Sequence, residues 1–274
     1  MNTIAKQNTM TRNNVNVIGS GDKTLVLAHG FGCDQTMWRF LVPFLEDDFK
    51  LVLFDYVGCG KSDVSYFNHE RYSTLHGYAM DLIDVCDALS LSEVTVIGHS
   101  VSSTISVIAA NQRPDLISKL VLVCPSPCFL NLSSEYRGGF DREDLEELLN
   151  LMDKNHIGWA NYLAPLVMGA NDNQFVTELS ESFCSTEPQY LKPFAHATFF
   201  SDHRNDFKKV KLPSLVLQSA NDALASQEVG QFTASALQFS TLEVIEAQGH
   251  CLHMTNPEQL YTKFSEFWVK HNPQ

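Results

Sequence analysis

The chain of 274 residues is short of positive charge and has no long hydrophobic run. It carries 19 lysines and arginines against 32 aspartates and glutamates, a formal net charge of −13. This acidic balance argues against binding to nucleic acid or to an anionic membrane surface. No stretch approaches the roughly 18 consecutive apolar residues of a membrane span, and residues 1–14 are polar. We therefore expect neither a membrane helix nor a secretory signal.

The cysteines are equally uninformative as ligands or disulfide partners. There are seven, an odd number, and they are scattered along the chain. Cys124 and Cys128 lie close together, but no second pair accompanies them, which argues against a zinc site. We expect reduced thiols in a cytoplasmic protein that uses no metal and no cofactor.

A complete phosphate-binding loop is also missing. The run Gly58-Cys59-Gly60-Lys61-Ser62 resembles the end of such a loop. The full motif needs a further glycine five residues before Gly60, and Asp55 stands there. The sequence therefore argues against nucleotide binding.

Short apolar runs alternate with amphipathic segments along most of the chain. This alternation predicts βαβ crossovers and a largely parallel sheet. The predicted strands are residues 15–18, 24–29, 51–55, 94–98, 120–124, 214–219 and 242–246. The predicted helices between them are residues 37–45, 75–89, 104–112, 229–237 and 258–270.

The alternation stops between about residues 130 and 200, where the pattern is helical throughout. Four helices are predicted there, at residues 141–152, 159–168, 174–184 and 188–200. An all-helical insert in an α/β chain indicates a lid over the strand ends, although ordinary surface helices would show the same periodicity. The segment is rich in aromatic side chains for a solvated surface, which favours a lid: Phe140, Trp159, Tyr162, Phe194, Phe199 and Phe200. We divide the chain into a core, residues 1–130 and 201–274, and a helical lid, residues 131–200.

The strongest functional signal is the run Val94-Thr95-Val96-Ile97-Gly98-His99-Ser100-Val101-Ser102. A predicted strand feeds a sharp turn with Ser100 at its apex, and a helix follows. Gly98 and Ser102 are small, as the close approach of strand and helix requires. This is the context of a nucleophile elbow, which holds a serine oxygen out at the top of a sheet. The usual motif ends in glycine, whereas this one ends in Ser102.

A serine nucleophile needs a base, and the base needs an orienting carboxylate. In a sheet of this kind, functional side chains lie just beyond the carboxyl ends of strands. Of the ten histidines, His250 follows the last predicted strand, with His253 as the alternative base. Asp222 directly follows the preceding strand, and the other candidate strand end offers no acid. We expect Ser100 as nucleophile, His250 as general base and Asp222 as the acid that orients it.

Backbone N–H groups supply the remaining part of this site. The run His29-Gly30-Phe31-Gly32 follows an early strand, and its glycines let the backbone turn so that amides point inward. The N–H groups of Phe31 and Val101 are our candidates for an oxyanion hole.

With these residues in place, the chain resembles the α/β-hydrolase superfamily over nearly its whole length, in the order Ser100, Asp222, His250. Within it, the chain is similar to the RsbQ group, bacterial hydrolases of energy-stress signalling, and to the related plant strigolactone and karrikin receptors. The elbow of those receptors also continues as Val101-Ser102 does here. The resemblance rests on the runs Phe54-Asp55-Tyr56-Val57-Gly58, Arg71-Tyr72-Ser73-Thr74-Leu75, Gly98-His99-Ser100-Val101, Pro125-Ser126-Pro127-Cys128-Phe129-Leu130-Asn131, Gly138-Gly139-Phe140 and Phe200-Ser201-Asp202.

The resemblance implies an α/β-hydrolase fold. Its mostly parallel, doubly wound sheet would have about seven strands, with a four-helix lid in two layers inserted after the sixth strand. It also implies a Ser–His–Asp triad below a mostly apolar pocket. Together with His99, the implied pocket walls are Phe31, Val101, Phe140, Trp159, Leu163, Thr198, Phe199 and Ala223. RsbQ-type proteins act with a phosphatase that carries a PAS sensor domain, so a partner surface on the lid is implied as well.

These observations predict a serine hydrolase that cleaves a small hydrophobic ester, lactone or acyl compound through an acyl-enzyme. The alternative is a ligand-sensing signalling module, in which hydrolysis is slow and a protein partner reads the lid. A third interpretation keeps the triad but changes the reaction to carbon–carbon bond hydrolysis or metal-free peroxidation. Haloalkane dehalogenation is disfavoured, because its usual nucleophile is an aspartate and Ser100 stands at that position.

Overall fold

The computed structural model describes residues 3–169 and 174–272, and its centre is a seven-stranded sheet. In chain order the strands of the sheet are β1 (Asn16–Ile18), β2 (Lys23–Ala28), β3 (Phe49–Leu53), β4 (Val94–His99), β5 (Ile117–Val123), β8 (Ser214–Asn221) and β9 (Ser240–Gln248). A separate hairpin contains β6 (Asn131–Ser133) and β7 (Tyr136–Arg137). The order across the sheet is β1-β3-β2-β4-β5-β8-β9. Only β1, at the edge, runs antiparallel to its neighbour.

The central strands are buried on both faces. All six residues of β4 are buried, and Leu25, Val26 and Leu27 of β2 have no exposed surface. Such near-continuous apolar strands are what a parallel sheet covered by helices requires. The carboxyl ends of β4, β8 and β9 consequently meet at one edge, where the site described below lies.

Helices cover this sheet and extend beyond it. They are α1 (Thr3–Arg12), α2 (Leu75–Ala88), α3 (Val101–Gln112), α4 (Arg142–Lys154), α5 (His156–Met168), α6 (Gln174–Ser185), α7 (Pro188–Phe199), α8 (Arg204–Phe207), α9 (Gln227–Ala236), α10 (Leu252–Thr255) and α11 (Pro257–His271). None of these described helices is both long and apolar enough to cross a membrane.

The four predicted lid helices are present as α4 to α7, each overlapping its predicted range. The predicted point of insertion was wrong, because these helices follow the fifth strand of the central sheet rather than the sixth. Between β5 and α4 the chain forms the β6–β7 hairpin instead. Pro125 and Pro127 come directly after β5 and cannot donate ladder hydrogen bonds, so no further central strand begins there. Residues 170–173 of the predicted lid lie outside the described residues.

The local differences from the predicted elements include residues 37–45 and residues 3–12. Where the sequence predicts one helix at residues 37–45, the chain forms two short 3₁₀ helices, Gln35–Phe40 and Val42–Phe44, because Pro43 has no N–H to continue a helix. Helix α1 was not predicted, since its sequence is polar. Tertiary contacts hold its end: the Arg12 guanidinium donates to the Asp84 carboxylate at 2.9 Å.

Candidate active site

Ser100 sits in a strained turn between β4 and α3. Its backbone angles are φ 55° and ψ −121°, a region that non-glycine residues rarely adopt. The turn is held by the Ser100 N–H, which donates to the Val123 carbonyl at 2.8 Å. A Cβ at Gly98 would lie 2.5 Å from the Ser102 carbonyl oxygen, so the elbow needs glycine there. The predicted nucleophile elbow is present in the geometry.

The structure brings together the three side chains that strand-end reasoning selected. His250 Nε2 lies 2.7 Å from Ser100 Oγ. On its other side, His250 Nδ1 lies 2.7 Å from Asp222 Oδ2. A carboxylate can only accept, so Nδ1 carries the proton and Nε2 is left with a lone pair toward Ser100. The alternative base, His253, instead packs its ring against Trp38 and His99 at centroid distances of 4.6 and 4.4 Å.

Asp222 is held as a carboxylate although its side chain has no exposed surface. Burial alone would raise its pKa, but His250 and backbone hydrogen bonds keep the pKa below the usual value for aspartate. Those bonds come from the N–H groups of Leu224 and Ala225, which reach Asp222 Oδ1 at 2.8 and 3.1 Å. The acid is thus charged and fixed in orientation.

Helix α5 helps to place His250. The His250 N–H donates to the Val167 carbonyl at 2.7 Å, and the Gly249 N–H donates to the Asn221 carbonyl at 2.8 Å. Gly249 adopts φ +90°, and a Cβ there would lie 2.3 Å from the Met168 carbonyl oxygen. Hydrogen bonds to the last turn of α5 and to the end of β8 therefore hold the loop that carries His250 in place.

The candidate oxyanion donors are two backbone N–H groups without a protein acceptor in the described part of the chain. Among the described residues, no acceptor takes the N–H of Phe31 or of Val101. Val101 is the first residue of α3, where N–H groups lack partners within the helix and favour negative charge. The His29 ring braces the other loop: it accepts from the Tyr56 N–H at 3.2 Å, while its Nδ1 lies 2.9 Å from the Gly30 carbonyl.

His99 joins the elbow to the base. Its Nε2 donates to the His250 carbonyl at 3.0 Å. Burial, together with the neighbouring His250, lowers the pKa of His99 to about 3. His99 therefore stays neutral at physiological pH and adds no charge beside the triad.

A small apolar cavity of about 30 Å³ adjoins Ser100. A water-sized sphere needs roughly 10–15 Å³ of such space, so this cavity suits a very small acyl group. Its lining residues are Phe31, Cys33, His99, Ser100, Phe129, Leu163, Val167, Leu179, Phe183, Thr198, Phe199, Leu224 and His250. A larger groove of about 490 Å³ lies outside it between α4 and α5. Leu163, Phe199 and Leu224 line both spaces and separate them.

The predicted pocket walls lie partly elsewhere. Phe31, His99, Leu163, Thr198 and Phe199 do line the cavity.

The other four predicted wall residues do not line it. Val101 and Trp159 are absent from the cavity lining, although the Trp159 ring lies 6.2 Å from the Phe31 ring between centroids, and Phe140 lines the outer groove. Ala223 faces a different surface depression, and its neighbour Leu224 takes the place in the cavity wall. The turn in which Asp222 accepts the Leu224 N–H sets this one-residue difference.

Val167, Leu179 and Phe183 line the cavity but were not predicted, because the orientation of α5 and α6 depends on tertiary packing. Leu179 and Phe183 lie one turn apart on α6 and face the cavity. Their spacing was visible in the sequence as an apolar stripe, but the stripe does not state which surface it covers.

Cys124 is the other group near the triad. Its Sγ and ligand atoms of Asp222 and His250 all lie within 4.8 Å of one another. These three could hold a soft divalent ion only if the hydrogen bond between Asp222 and His250 were broken. The donor set therefore fits hydrogen bonding better than a resident metal.

Comparisons with known proteins agree with this geometry. A family model described as alpha/beta hydrolase fold matches residues 23–257. Karrikin insensitive 2 receptor CA of Petunia hybrida is 40% identical over 247 residues, 89% of this chain and 91% of that protein. Strigolactone esterase D14 of Arabidopsis thaliana is 35% identical over 258 residues, 94% and 96% of the two chains. A solved hydrolase from Oleispira antarctica is 54% identical with a TM-score of 0.94, covering 97% and 98% of the two chains. The chain belongs to the α/β-hydrolase family.

Proposed function

We propose that this protein is a serine hydrolase that cleaves small hydrophobic esters, lactones or related acyl compounds through an acyl-enzyme. The observation that carries the proposal is the continuous hydrogen-bonded chain from Ser100 Oγ through the His250 ring to Asp222, with both distances at 2.7 Å. Ser100, at one end of this chain, lines an apolar cavity, and the Phe31 and Val101 N–H groups have no acceptor among the described residues. The esterase named among the relatives supports the same reaction class.

In this mechanism Ser100 Oγ attacks the substrate carbonyl carbon while His250 Nε2 takes the hydroxyl proton. The developing oxyanion accepts hydrogen bonds from the Phe31 and Val101 N–H groups. Collapse of the tetrahedral intermediate breaks the carbon–oxygen bond, and His250 returns the proton to the leaving alcohol. A water molecule, deprotonated by His250, then attacks the acyl carbon; the bond to Ser100 Oγ breaks, His250 returns the proton to that oxygen, and the acid is released. Asp222 keeps Nδ1 protonated and stabilises the imidazolium throughout.

Substrate size follows from the two spaces near Ser100. The cavity of about 30 Å³ beside Ser100 fits an acetyl-sized group, whereas the outer groove of about 490 Å³ fits a larger apolar part. A substrate that occupies both must displace the partition formed by Leu163, Phe199 and Leu224.

Hydrolysis of p-nitrophenyl acetate by wild type and by Ser100→Ala tests the proposal. We expect sustained turnover by wild type, with no acyl-enzyme and essentially no turnover in the variant, while the unfolding temperature stays similar. Mass spectrometry after brief exposure should show one acetyl group on the wild-type chain only. A folded Ser100→Ala protein that turned over the ester at the wild-type rate would refute the assignment.

The second candidate is a ligand-sensing module in cytoplasmic stress signalling of the RsbQ kind. The receptors named among the relatives favour it, as do apolar side chains on the outside of α5: Ile157 is 64% exposed and Tyr162 61% exposed. Here the acylated protein would present the lid to a phosphatase with a PAS domain. A burst of nitrophenol followed by near-stalling, and partner binding that Ile157→Asp abolishes, would support this role. Fast steady turnover without a partner would count against it.

A further inference from the structure

Ser102 occupies the elbow position at which glycine is usual, and its hydroxyl is fully engaged. The residue has no exposed surface. Its Oγ donates to the His29 carbonyl oxygen at 2.5 Å. The Tyr56 hydroxyl lies 2.9 Å from the same Oγ. Because the single Ser102 proton goes to the carbonyl, the Tyr56 hydroxyl is the donor in the second bond.

These bonds join the two segments that carry the oxyanion donors. Val101, the candidate donor at the start of α3, directly precedes Ser102. His29, whose carbonyl accepts from Ser102, is two residues before Phe31 in the opposite loop. The Ser102 hydroxyl thus cross-links the helix start and the loop, at positions one residue from Val101 and two residues from Phe31 along the chain.

The same loop is braced on its other side. The Tyr56 N–H donates to the His29 ring, and the Tyr56 hydroxyl reaches Ser102, so one buried tyrosine contacts both partners. The loop packs closely against His99 at Gly30, since a Cβ there would lie 2.5 Å from His99 Nδ1. The loop is therefore held directly before the Phe31 N–H, and among the described residues Ser102 makes the only side-chain hydrogen bond between this loop and α3.

We propose that Ser102 is a positioning residue for the proposed hydrolase: its hydroxyl sets the separation of the Phe31 and Val101 N–H groups. This inference rests on the proposed function. Catalysis by an oxyanion hole depends on donors placed for the transition state, and removing one whole donor costs about 10²–10³ in kcat. Displacing one donor should cost less, about 10- to 100-fold.

The test compares Ser102→Ala and Ser102→Gly with Ser106→Ala as the matched control. Ser106 is equally buried on the same helix, but its hydroxyl bonds only within the helix, to the Ser102 carbonyl. Glycine is the residue of the usual motif, so it preserves the packing of the elbow while removing the hydroxyl. If the alanine variant fails to fold, the glycine variant and Tyr56→Phe still decide the question.

With p-nitrophenyl acetate, we expect both Ser102 variants to lower kcat about 10- to 100-fold with KM changed less than about threefold. Covalent labelling by a fluorophosphonate, whose phosphoryl oxygen would occupy the same hole, should slow by a similar factor. Tyr56→Phe should lose less, because Ser102 still donates to His29, and Ser106→Ala should stay within about twofold of wild type.

Three results would overturn the inference: wild-type rates in both Ser102 variants, an equal loss in Ser106→Ala, or a rise in KM with kcat unchanged. Each of these presupposes a working Ser100 in wild type. If wild type shows neither turnover nor labelling, the proposed function fails first and this inference fails with it.

Discussion

Replacing Asp222 by asparagine should leave the fold intact and reverse the hydrogen bonding of the base. The side chain at this position faces two fixed donors and one ring nitrogen. The Leu224 and Ala225 N–H groups point at one oxygen from 2.8 and 3.1 Å, and the His250 ring lies 2.7 Å from the other. An asparagine must therefore turn its oxygen toward the backbone, since the opposite orientation would leave two buried N–H groups unpaired at about 1–3 kcal/mol each.

That orientation places the amide NH₂ against His250 Nδ1, which must then accept a hydrogen bond. The ring proton moves to Nε2, the atom 2.7 Å from Ser100 Oγ. A protonated Nε2 cannot take the serine proton. Loss of the correct tautomer in a triad of this kind costs about 10⁴ in kcat, equivalent to roughly 5.5 kcal/mol of transition-state stabilisation.

The assay is kcat for p-nitrophenyl acetate, together with the unfolding temperature. Asp222→Asn should lose about 10⁴ in kcat yet remain folded, because asparagine keeps both backbone hydrogen bonds. Asp222→Ala should be the less stable of the two, since it leaves the buried N–H groups without acceptors. Asp202→Asn is the matched control: this carboxylate bonds Arg204 away from the triad, and its change should leave kcat unaltered. A folded Asp222→Asn protein with more than a tenth of wild-type kcat would refute the tautomer argument.

Two further predictions concern Leu163, beside the cavity, and the buried His253. Leu163→Ala opens the partition between cavity and groove, so it should raise kcat/KM for p-nitrophenyl butyrate relative to p-nitrophenyl acetate and lower the free energy of unfolding by about 2–5 kcal/mol. Leu166→Ala is the control, because Leu166 lines only the groove. An unchanged kcat/KM ratio in Leu163→Ala would contradict the partition. Burial lowers the pKa of His253 in the folded protein, so as the pH falls this side chain is protonated first in the unfolded chain. His253 therefore lowers the free energy of unfolding as the pH falls below about 6.5. Between pH 6 and pH 5, the free energy of unfolding measured in urea should therefore fall by about 1 kcal/mol less in His253→Leu than in wild type. The exposed His69 serves as the control site. An equal fall in wild type and His253→Leu would contradict the argument.

The triad geometry could be predicted because each member lies at the end of a strand that is readable from local sequence. Ser100 follows β4, Asp222 follows β8 and His250 follows β9. Parallel strands in one sheet bring their carboxyl ends to one edge, so sequence order and strand ends together select the three residues. The choice of His250 over His253 followed from the same rule, and the distances to Ser100 and Asp222 agree with it.

The pocket was harder to predict for a physical reason. Six of its thirteen lining residues lie on α5, α6 and α7, and the faces that these helices turn toward Ser100 depend on how the helices pack. Trp159 and Phe140 are apolar residues of the expected segment, yet one lies behind the wall and the other lines the outer groove. The exchange of Ala223 for Leu224 shows that a single turn can move the lining by one residue.

The sequence by itself determined the α/β alternation, the strained serine elbow, the helical insert and the three strand-end residues, since all of these depend on periodicity and on residue types close together in the chain. Only the tertiary structure decided how far the catalytic cavity opens, which lid residues line it and how Ser102 reaches His29. Those properties depend on hydrogen bonds and packing between segments far apart in the chain, and local sequence does not encode the distances between such segments.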